Sequence, residues 1–318
     1  MPIETLDASV DAVVIGGSFA GLSAALQLAR ARRTVTVVDD GAPRNRFAAR
    51  SHGFFAQDGT PPLQLIAAAR ERVQAYPTVQ FISGRALRAC RRDDGAGDGG
   101  GDGGRQFSVS LDDGRTLAAR RLLLAIGVQD TFPDIDGLAP RWGASVLHCP
   151  YCHGYEEAGR RLGVLSAGPA SVHHALLIKE WGPTTLLLNG QPLDADEARR
   201  LRAHGVAIEP AVVQALEGPL PRLSAVRLAD GRSLPLEALF VAPRVRIGHE
   251  LVDSLRCELT DGPFGPMLRV DDLKQTSVPG VYAAGDAAHL RHNATFASAD
   301  GVLAGVSMHH SLIAGLGA

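Results

Sequence analysis

The sequence predicts an α/β fold built from two three-layer units. Two stretches share the order strand, glycine-containing turn, helix and second strand, and the spacing from Gly16 to Asp39 equals that from Ser166 to Asn189, 23 residues. A third stretch, residues 278–286, is a strand that ends in Gly-Asp and precedes a helix. Strands that alternate with helices are typical of a parallel sheet covered on both faces.

The composition fits a globular chain with small-molecule partners. With 318 residues and 45% hydrophobic content we expect about two domains. A net charge of -2 offers no general attraction to nucleic acid or to a membrane surface. No apolar run reaches the ~18 residues of a membrane span, and residues 1–11 lack the features of a signal peptide. Four cysteines do not make a disulfide scaffold, so the expected location is the cytoplasm.

The first unit opens with an apolar strand that leads into a turn at residues 16–21 and a helix predicted at 22–31. A second strand at 34–38 ends in Asp39, 18 residues after the last glycine of the turn. This order is the Rossmann-like dinucleotide fingerprint, in which the helix N-terminus faces a pyrophosphate and the acid accepts from ribose hydroxyls. Ser18 stands at the middle glycine position and weakens the match. The predicted cofactor contacts are Gly16, Ser18, Phe19, Ala20, Gly21 and Asp39.

Two further segments complete this part of the chain. Residues 93–105 are an Asp/Gly-rich run between apolar strands and are predicted to be a flexible hairpin connection. The run lacks the ligand spacing of a calcium loop, so no metal is expected there. The strand at 121–125 leads into Gly127, another predicted cofactor contact.

The motif that carries chemistry is Cys149-Pro-Tyr-Cys152, flanked by His148 and His153. Two thiols separated by two residues can close a disulfide, and an adjacent imidazole can hold the proton that decides which sulfur is the thiolate. A zinc clip is the alternative, but it needs four ligands, and the other two cysteines are isolated in the sequence. A redox pair is therefore favoured, with no metal.

The second unit keeps the spacing of the first but has lost cofactor-binding residues. Ser166 and Ser171 stand where glycine or alanine is expected, and Asn189 replaces the acid. No arginine follows closely to hold a 2'-phosphate. The sequence thus predicts that the fold persists while NADPH binding is weak or absent.

The last segment predicts the other half of a flavin site. An acid at a strand end can bind a ribityl hydroxyl, and the N-terminus of the helix predicted at about 295–312 can be directed at a flavin ring. An ordinary turn is the alternative, but together with the N-terminal fingerprint both halves of an FAD site are present. The predicted contacts are Gly285, Asp286, Asn293, Ala294 and Thr295, with Phe54 and Phe55 as further candidates near the flavin.

With these motifs the chain resembles low-molecular-weight thioredoxin reductases along nearly its whole length. In that family an FAD-binding domain is split by an inserted NADPH domain that carries the Cys-x-x-Cys. The resemblance implies an FAD-binding domain of residues 1–130 plus 247–318 and an inserted domain of 131–246. Residues 149–156 and 40–46 are similar to one branch, the FAD-dependent dithiol oxidases that form the disulfides of gliotoxin, holomycin and romidepsin. Arg46, in that second segment, is added to the expected cofactor contacts.

Two departures from thioredoxin reductases favour dithiol oxidation. His153 stands where the family has an aspartate that acts as acid and base, and the basic NADPH-phosphate motif is missing. The resemblance implies that Cys149 is the interchange thiol, that Cys152 lies against the flavin, and that His153 or else His148 accepts the proton. Glu156 is a candidate to orient an imidazole.

The resemblance also implies a homodimer and a small-molecule dithiol as substrate, with oxygen or NADP as the electron acceptor. Two other hypotheses about the function stay open. One is an NAD(P)H-dependent thioredoxin or protein disulfide reductase. The other is a flavin-binding protein whose Cys pair is structural or regulatory.

Overall fold

The computed structural model of the chain describes residues 9–92, 106–168, 170–248 and 250–313. Tertiary contacts divide it into two compact units: unit 1 comprises Met1–Arg44, Leu63–Gln129 and Val245–Ala318, and unit 2 comprises Asn45–Pro62 and Asp130–Arg244. The segment Asn45–Pro62, which the sequence prediction left with the FAD-binding residues, groups with unit 2. The predicted connection at 93–105 lies outside the described residues.

The elements follow one another in three stretches of chain. The first contains β1 (Val10–Ile15), α1 (Phe19–Arg30), β2 (Val35–Asp39), a 3-10 turn (Arg44–Phe47), α2 (Pro62–Gln74), β3 (Val79–Ser83), β4 (Ala86–Arg92), β5 (Gln106–Leu111) and β6 (Thr116–Leu124). The second contains β7 (Gln129–Thr131), a 3-10 turn (Ala139–Arg141), β8 (Val146–Leu147), α3 (Pro150–His153), β9 (Leu162–Leu165), α4 (Ala170–Ile178), β10 (Thr184–Leu187), α5 (Ala195–Ala203), β11 (Ala207–Glu209), β12 (Val213–Glu217), β13 (Ala225–Leu228), β14 (Ser233–Leu234), β15 (Ala238–Val241) and β16 (Arg244–Arg246). The third contains α6 (Glu250–Leu255), β17 (Leu259–Asp261), β18 (Pro266–Leu268), β19 (Val281–Ala283), a 3-10 turn (Gly285–Ala288) and α7 (Ala294–Ser311).

Unit 1 is built on a seven-stranded sheet in the order β3-β2-β1-β6-β5-β4, in which β19 also pairs with β6. Strands β3, β2, β1, β6 and β19 run parallel, while β4, β5 and the start of β6 run antiparallel. Side chains of β1 alternate between two buried clusters: Ala12 and Val14 belong to one, Val13 and Ile15 to the other. Both faces of the strand are therefore buried, as a three-layer arrangement requires.

Helices α1 and α7 pack closely because two glycines of α7 face α1. A Cβ placed on Gly301 would lie 2.1 Å from the Ala20 carbonyl oxygen, and one on Gly305 would lie 2.8 Å from that of Ala24. Neither distance leaves room for a side chain. The glycines therefore let the last helix lie against the helix of the first fingerprint.

Unit 2 contains a five-stranded parallel sheet in the order β11-β10-β9-β15-β8 and a three-stranded antiparallel sheet, β12-β13-β14. One face of the parallel sheet packs against α4 and α5, where Val164 and Phe240 join Ile178 and Leu201 in one cluster. The opposite face packs against the antiparallel sheet. The predicted α/β class with two Rossmann-like units is thus confirmed.

The predicted helix ends differ from the observed ones by a few residues. Helix α1 begins at Phe19 rather than residue 22, because the chain is helical directly after Ser18 at its N-cap. Helix α4 ends at Ile178 rather than near 181, where Gly182 and Pro183 follow and Pro183 has no N–H to donate. Among the described residues, no helix combines the length and hydropathy that crossing a bilayer would take.

Candidate active site

The first glycine turn is held tightly between β2 and β6. The Gly17 N–H donates to Asp39 Oδ1 at 2.8 Å, and the Gly16 N–H donates to the Val38 carbonyl at 2.8 Å. Gly16 has φ +104°, and a Cβ there would lie 2.2 Å from the Ala125 carbonyl oxygen. The turn therefore has a conformation and a packing that only glycine allows.

The start of α1 suits an anion. Ser18 is the N-cap, its side chain makes no cap hydrogen bond, and the first turn has no acidic residue. Free N–H groups at a helix N-terminus attract phosphate. Phe19 and Ala20 belong to this first turn, and Gly21 packs so closely on Gly16 that a Cβ would lie 1.8 Å from its carbonyl oxygen.

Asp286 lies at the start of the 3-10 turn after β19 and accepts a hydrogen bond from Arg44 at 2.8 Å. Both side chains are about four-fifths buried. The sequence prediction missed Arg44 and chose Arg46 instead. The Arg46 guanidinium lies over the Phe47 ring, 4.2 Å from its centroid. The sequence feature that could have indicated Arg44 is its position, five residues after the acid at the end of β2, Asp39.

The other predicted cofactor contacts in unit 1 are two glycines with positive φ and three residues at the start of α7. Gly127 has φ +61° with open space where a Cβ would be, and Gly285 has φ +76°. Asn293 is the N-cap of α7, and its side-chain oxygen accepts from the Thr295 N–H at 2.7 Å. Ala294 is the first residue of that helix.

The residues of unit 1 fit a dinucleotide cofactor such as FAD. An anion-binding helix start, a carboxylate at the end of β2 and a second carboxylate after β19 are the groups that hold pyrophosphate, ribose and ribityl hydroxyls. A Cβ at Gly16 would clash with the Ala125 carbonyl, and one at Gly17 would clash with the Asp39 side chain, so this turn admits no side chain at either position.

The Cys pair lies in unit 2 at the start of a short helix. Cys149 is the N-cap of α3 and Cys152 is its third residue, and both thiols are free. The pKa of Cys149 is lowered to about 7, first by the hydrogen bond that the Cys152 thiol donates and then by the backbone N–H groups of Cys152 and Tyr151. The same contact and burial raise the pKa of Cys152. The two thiols are therefore chemically unequal, and Cys149 is the one that ionises first.

The two predicted histidines flank this helix. His148 Nδ1 lies 3.3 Å from the Val241 carbonyl oxygen, which can only accept, so the proton of the neutral ring lies on Nδ1 and Nε2 keeps its lone pair. Burial lowers the pKa of His153, while the charge of Glu156 raises it. Burial thus favours the neutral form of the His153 ring, which can accept a proton.

Two charged side chains that the sequence did not indicate complete the surroundings of His153. His52 lies 3.3 Å from the Glu156 carboxylate through Nε2 and 3.5 Å from that of Asp58 through Nδ1. They were missed because His52 is about 100 residues before the Cys pair in the sequence, and only the fold brings it there. Among the described residues, no three His, Cys, Asp or Glu side chains are grouped so as to hold a metal ion.

Two exposed tyrosines flank Cys152 in the sequence. Tyr151 is 73% exposed and Tyr155 is 85% exposed. Tyr151 makes an edge contact with Trp181, with ring centroids 5.8 Å apart. A ring surface of this kind suits an apolar or aromatic molecule.

The second glycine turn forms hydrogen bonds with its own side chains. The Ala167 N–H, which follows β9, donates to Ser171 Oγ at 2.9 Å. The Asn189 side-chain oxygen accepts from the Val213 N–H at 2.9 Å, and Asn189 has φ +50°. The second turn thus differs from the first in its partners: a hydroxyl takes the N–H that a carboxylate takes in the first unit, and an amide stands in place of that carboxylate.

Comparison with known proteins identifies the family to which the chain belongs. A family model described as pyridine nucleotide-disulphide oxidoreductase matches residues 10–301. The chain belongs to the pyridine nucleotide-disulphide oxidoreductase family. Like other thioredoxin reductase-like members of this family, it is an oxidoreductase enzyme with FAD as its cofactor. The predicted resemblance to thioredoxin reductases is confirmed.

Individual members of the family are similar over nearly the full chain. A thioredoxin reductase of Claviceps purpurea, tcpT, is 32% identical over 317 residues, which cover 96% of this chain and 95% of that protein. A thioredoxin reductase of Leptosphaeria maculans, sirT, is 30% identical, with 95% and 94% covered.

Two solved structures are also similar to this chain over nearly its full length. An oxidoreductase from Agrobacterium tumefaciens has a TM-score of 0.88 and 43% identity, with 96% of this chain and 99% of that chain covered. The crystal structure of HlmI has a TM-score of 0.88 and 38% identity, with 98% and 95% covered.

Proposed function

We propose that this oxidoreductase converts a small-molecule dithiol into its intramolecular disulfide, as in the dithiol oxidases of natural-product biosynthesis. The observation that carries the proposal is the unequal pair Cys149 and Cys152 beside two histidines, in a unit whose nucleotide turn forms hydrogen bonds with its own side chains. A thiol that ionises near neutral pH is a good leaving group in disulfide exchange. This favours the release of an oxidised substrate from Cys149.

The proposed reaction begins with the Cys149–Cys152 disulfide. A substrate thiolate attacks Cys149 Sγ, which forms a mixed disulfide, breaks the Cys149–Cys152 bond and releases Cys152 as a thiolate. The second substrate thiolate then attacks the substrate sulfur of the mixed disulfide, which releases Cys149 as a thiolate and the product as a disulfide. Two electrons have moved from the substrate to the Cys pair, and each substrate thiol has given up its proton before its attack.

The histidines handle the protons in this scheme. His153 in its neutral form accepts the proton of a substrate thiol, because burial keeps the ring from being charged. His148 is the second candidate, and its Nδ1 is directed at the Val241 carbonyl. Exposed Tyr151 and Tyr155 offer ring faces to an apolar substrate.

FAD, when bound, supplies a two-electron acceptor that returns the Cys pair to its disulfide form. In the proposal it is held by the α1 N-terminus, Asp39, Gly127 and Asp286, with Arg44 as an additional cation for its phosphates. Gly16 and Gly17 let the backbone approach the cofactor closely.

We propose oxygen rather than NADP as the final electron acceptor. In unit 2 the Ala167 N–H is engaged by Ser171, and Asn189 stands in place of a ribose-binding acid. A ribose bound after β10 would therefore find an amide and no carboxylate. This weakens pyridine nucleotide binding.

A homodimer formed by a second copy of the chain is part of the proposal. Helix α7 has an apolar strip on the side away from α1, where Phe296, Val302, Leu303 and Val306 are each 37–41% exposed. An apolar strip on one helix suits burial against the same strip of a partner. We place the enzyme in the cytoplasm, because four cysteines in 318 residues do not make a disulfide scaffold.

The second candidate function is a protein disulfide reductase. It is favoured by the names of the two relatives, both of which are thioredoxin reductases. The two functions differ in which direction electrons pass through the Cys pair.

Steady-state turnover distinguishes them. The FAD-loaded enzyme is mixed in air with a small vicinal dithiol such as dithiothreitol, and both oxygen consumption and cyclised disulfide are measured. We expect one disulfide for each oxygen reduced to peroxide, and loss of this turnover in Cys149→Ser and Cys152→Ser. Turnover only with NADPH and thioredoxin, and none with the dithiol in air, would overturn the proposal.

A further inference from the structure

A loop far from the Cys-x-x-Cys motif in sequence brings a third histidine to the redox centre. Ser51 and Thr60 pair as an antiparallel bridge, and the Gly59 N–H donates to the Ser51 carbonyl at 2.9 Å. The Phe55 side chain at the tip of this loop is 92% exposed. The side chain of His52 is only 18% exposed. The loop therefore folds with its imidazole directed inward.

The loop also provides a carboxylate that fixes the ring. Asp58 accepts from the Gly53 N–H at 2.8 Å and lies 3.5 Å from His52 Nδ1. The other ring nitrogen of His52 lies 3.3 Å from Glu156. A ring with a carboxylate beside each nitrogen can donate to both when it is protonated. His52 thus lies between two carboxylates.

We propose that His52 is a positioning residue of the redox centre, which holds the Glu156 carboxylate so that His153 competes with His52 for its negative charge. The proposal deepens the proposed function, since it concerns the histidine that accepts the proton. Glu156 lies three residues after His153, in the turns that follow α3. Glu156 contacts His52 and acts electrostatically on His153, and in this sense the two imidazoles share one carboxylate.

Glu156 and His52 have opposite effects on the pKa of His153. A carboxylate beside His153 favours its protonated form, and a cationic His52 opposes it. Burial lowers the pKa of His153, Glu156 raises it and His52 lowers it again. His52 therefore helps to keep His153 in the neutral form that can take a proton from a thiol.

The other charged groups around this centre are accounted for. Glu157 is buried, lies 2.9 Å from Arg160 and 3.8 Å from Arg222, and has a pKa that burial raises. Cys149 becomes negative when it ionises and lies on the same short helix as His153. These groups stay the same in the variants below, so a difference between variants reports on the shared carboxylate.

The test is an NMR titration of the His153 imidazole in the reduced, FAD-loaded enzyme, with its signal assigned by its absence in His153→Asn. His52→Gln keeps an N–H donor for Glu156 and removes the positive charge. We expect the pKa of His153 to rise by about 0.5 pH unit in His52→Gln and to fall by a similar amount in Glu156→Gln. Shifts of opposite sign are the signature of a shared carboxylate.

Unchanged titration in both variants, or shifts of the same sign, would overturn the proposal and leave His52 with a structural role. If the His52→Gln variant does not retain FAD, or shows no cooperative thermal unfolding, the titration is done on the Asp58→Asn variant instead. Asp58→Asn weakens the charge on His52 and should move the His153 titration in the same direction by a smaller amount. The titration needs no turnover, so a failure of dithiol oxidation in the assay above does not decide this result.

Discussion

The backbone N–H of Cys152 and the Cys152 thiol are both directed at Cys149, the N-cap of the same four-residue helix. This places donors on one side of the pair only. Cys149 becomes the thiol that ionises near pH 7, and Cys152 keeps its proton. The order of the two cysteines in the chain therefore decides their roles, because only the first can lie at a helix N-terminus.

Removal of the Cys152 donor should raise the pKa of Cys149. In Cys152→Ala the largest cause of the lowered pKa is lost, and half-maximal alkylation of Cys149 by iodoacetamide should move from about pH 7 toward the ordinary thiol value of 9.0. Cys152→Ser is the matched control, since its hydroxyl can still donate. Equal alkylation profiles for the two variants would show that the Cys152 side chain does not set the acidity of Cys149.

Removal of the Asp39 carboxylate should weaken FAD binding. Asp39→Ala leaves the Gly17 N–H without its acceptor and removes the acid at the end of β2. Hydrogen bonds to a charged group contribute about 1.5–3 kcal/mol, so the dissociation constant for FAD should rise at least about tenfold. Asp39→Asn keeps an oxygen for Gly17 and should lose less. The measurement is the flavin retained after dialysis, and equal retention in wild type and Asp39→Ala would contradict this role.

A side chain at Gly301 should destabilise unit 1. The Cβ of Gly301→Ala would lie 2.1 Å from the Ala20 carbonyl, so α1 and α7 must separate. Overpacking costs about 1–3 kcal/mol, partly offset by the better helix propensity of alanine. The denaturant midpoint should therefore fall, while Ala68→Ser on the exposed side of α2 should leave it nearly unchanged. A midpoint for Gly301→Ala equal to that of the control would show that the helices can separate without cost.

His174 makes unit 2 sensitive to acid. Burial lowers its pKa to about 4 from 6.5, so the unfolded chain binds a proton in this range that the folded chain does not. The free energy of unfolding should fall as the pH decreases from 6.5 to 4, by roughly 2–3 kcal/mol from this group. Above pH 6.5 both states are neutral and the group has no effect.

His174→Leu removes the titration and keeps an apolar side chain near Phe240. Its unfolding free energy should depend less on pH between 6.5 and 4 than that of wild type, as measured by urea denaturation at several pH values. The same slope in both proteins would contradict the assignment.

The sequence predicted the parts of the molecule that depend on local pattern. The two strand–turn–helix–strand units and the Cys-x-x-Cys follow from spacing and from residues such as Gly16 and Gly21, whose conformation or packing excludes side chains. The inequality of Cys149 and Cys152 needed the helix start to be known. The pairing of His52 with Glu156 and that of Arg44 with Asp286 could not be predicted, because only long-range folding brings these residues together. The grouping of Asn45–Pro62 with unit 2 has the same cause.

Anaerobic flavin absorbance tests dithiol oxidation most directly. The FAD-loaded enzyme is mixed without oxygen with a small dithiol in one experiment and with NADPH in another. The account predicts that the dithiol alone abolishes the visible absorbance of the oxidised flavin, that air restores it, and that NADPH alone leaves it unchanged. Loss of absorbance with NADPH, and none with the dithiol, would contradict the account and make the enzyme a reductase.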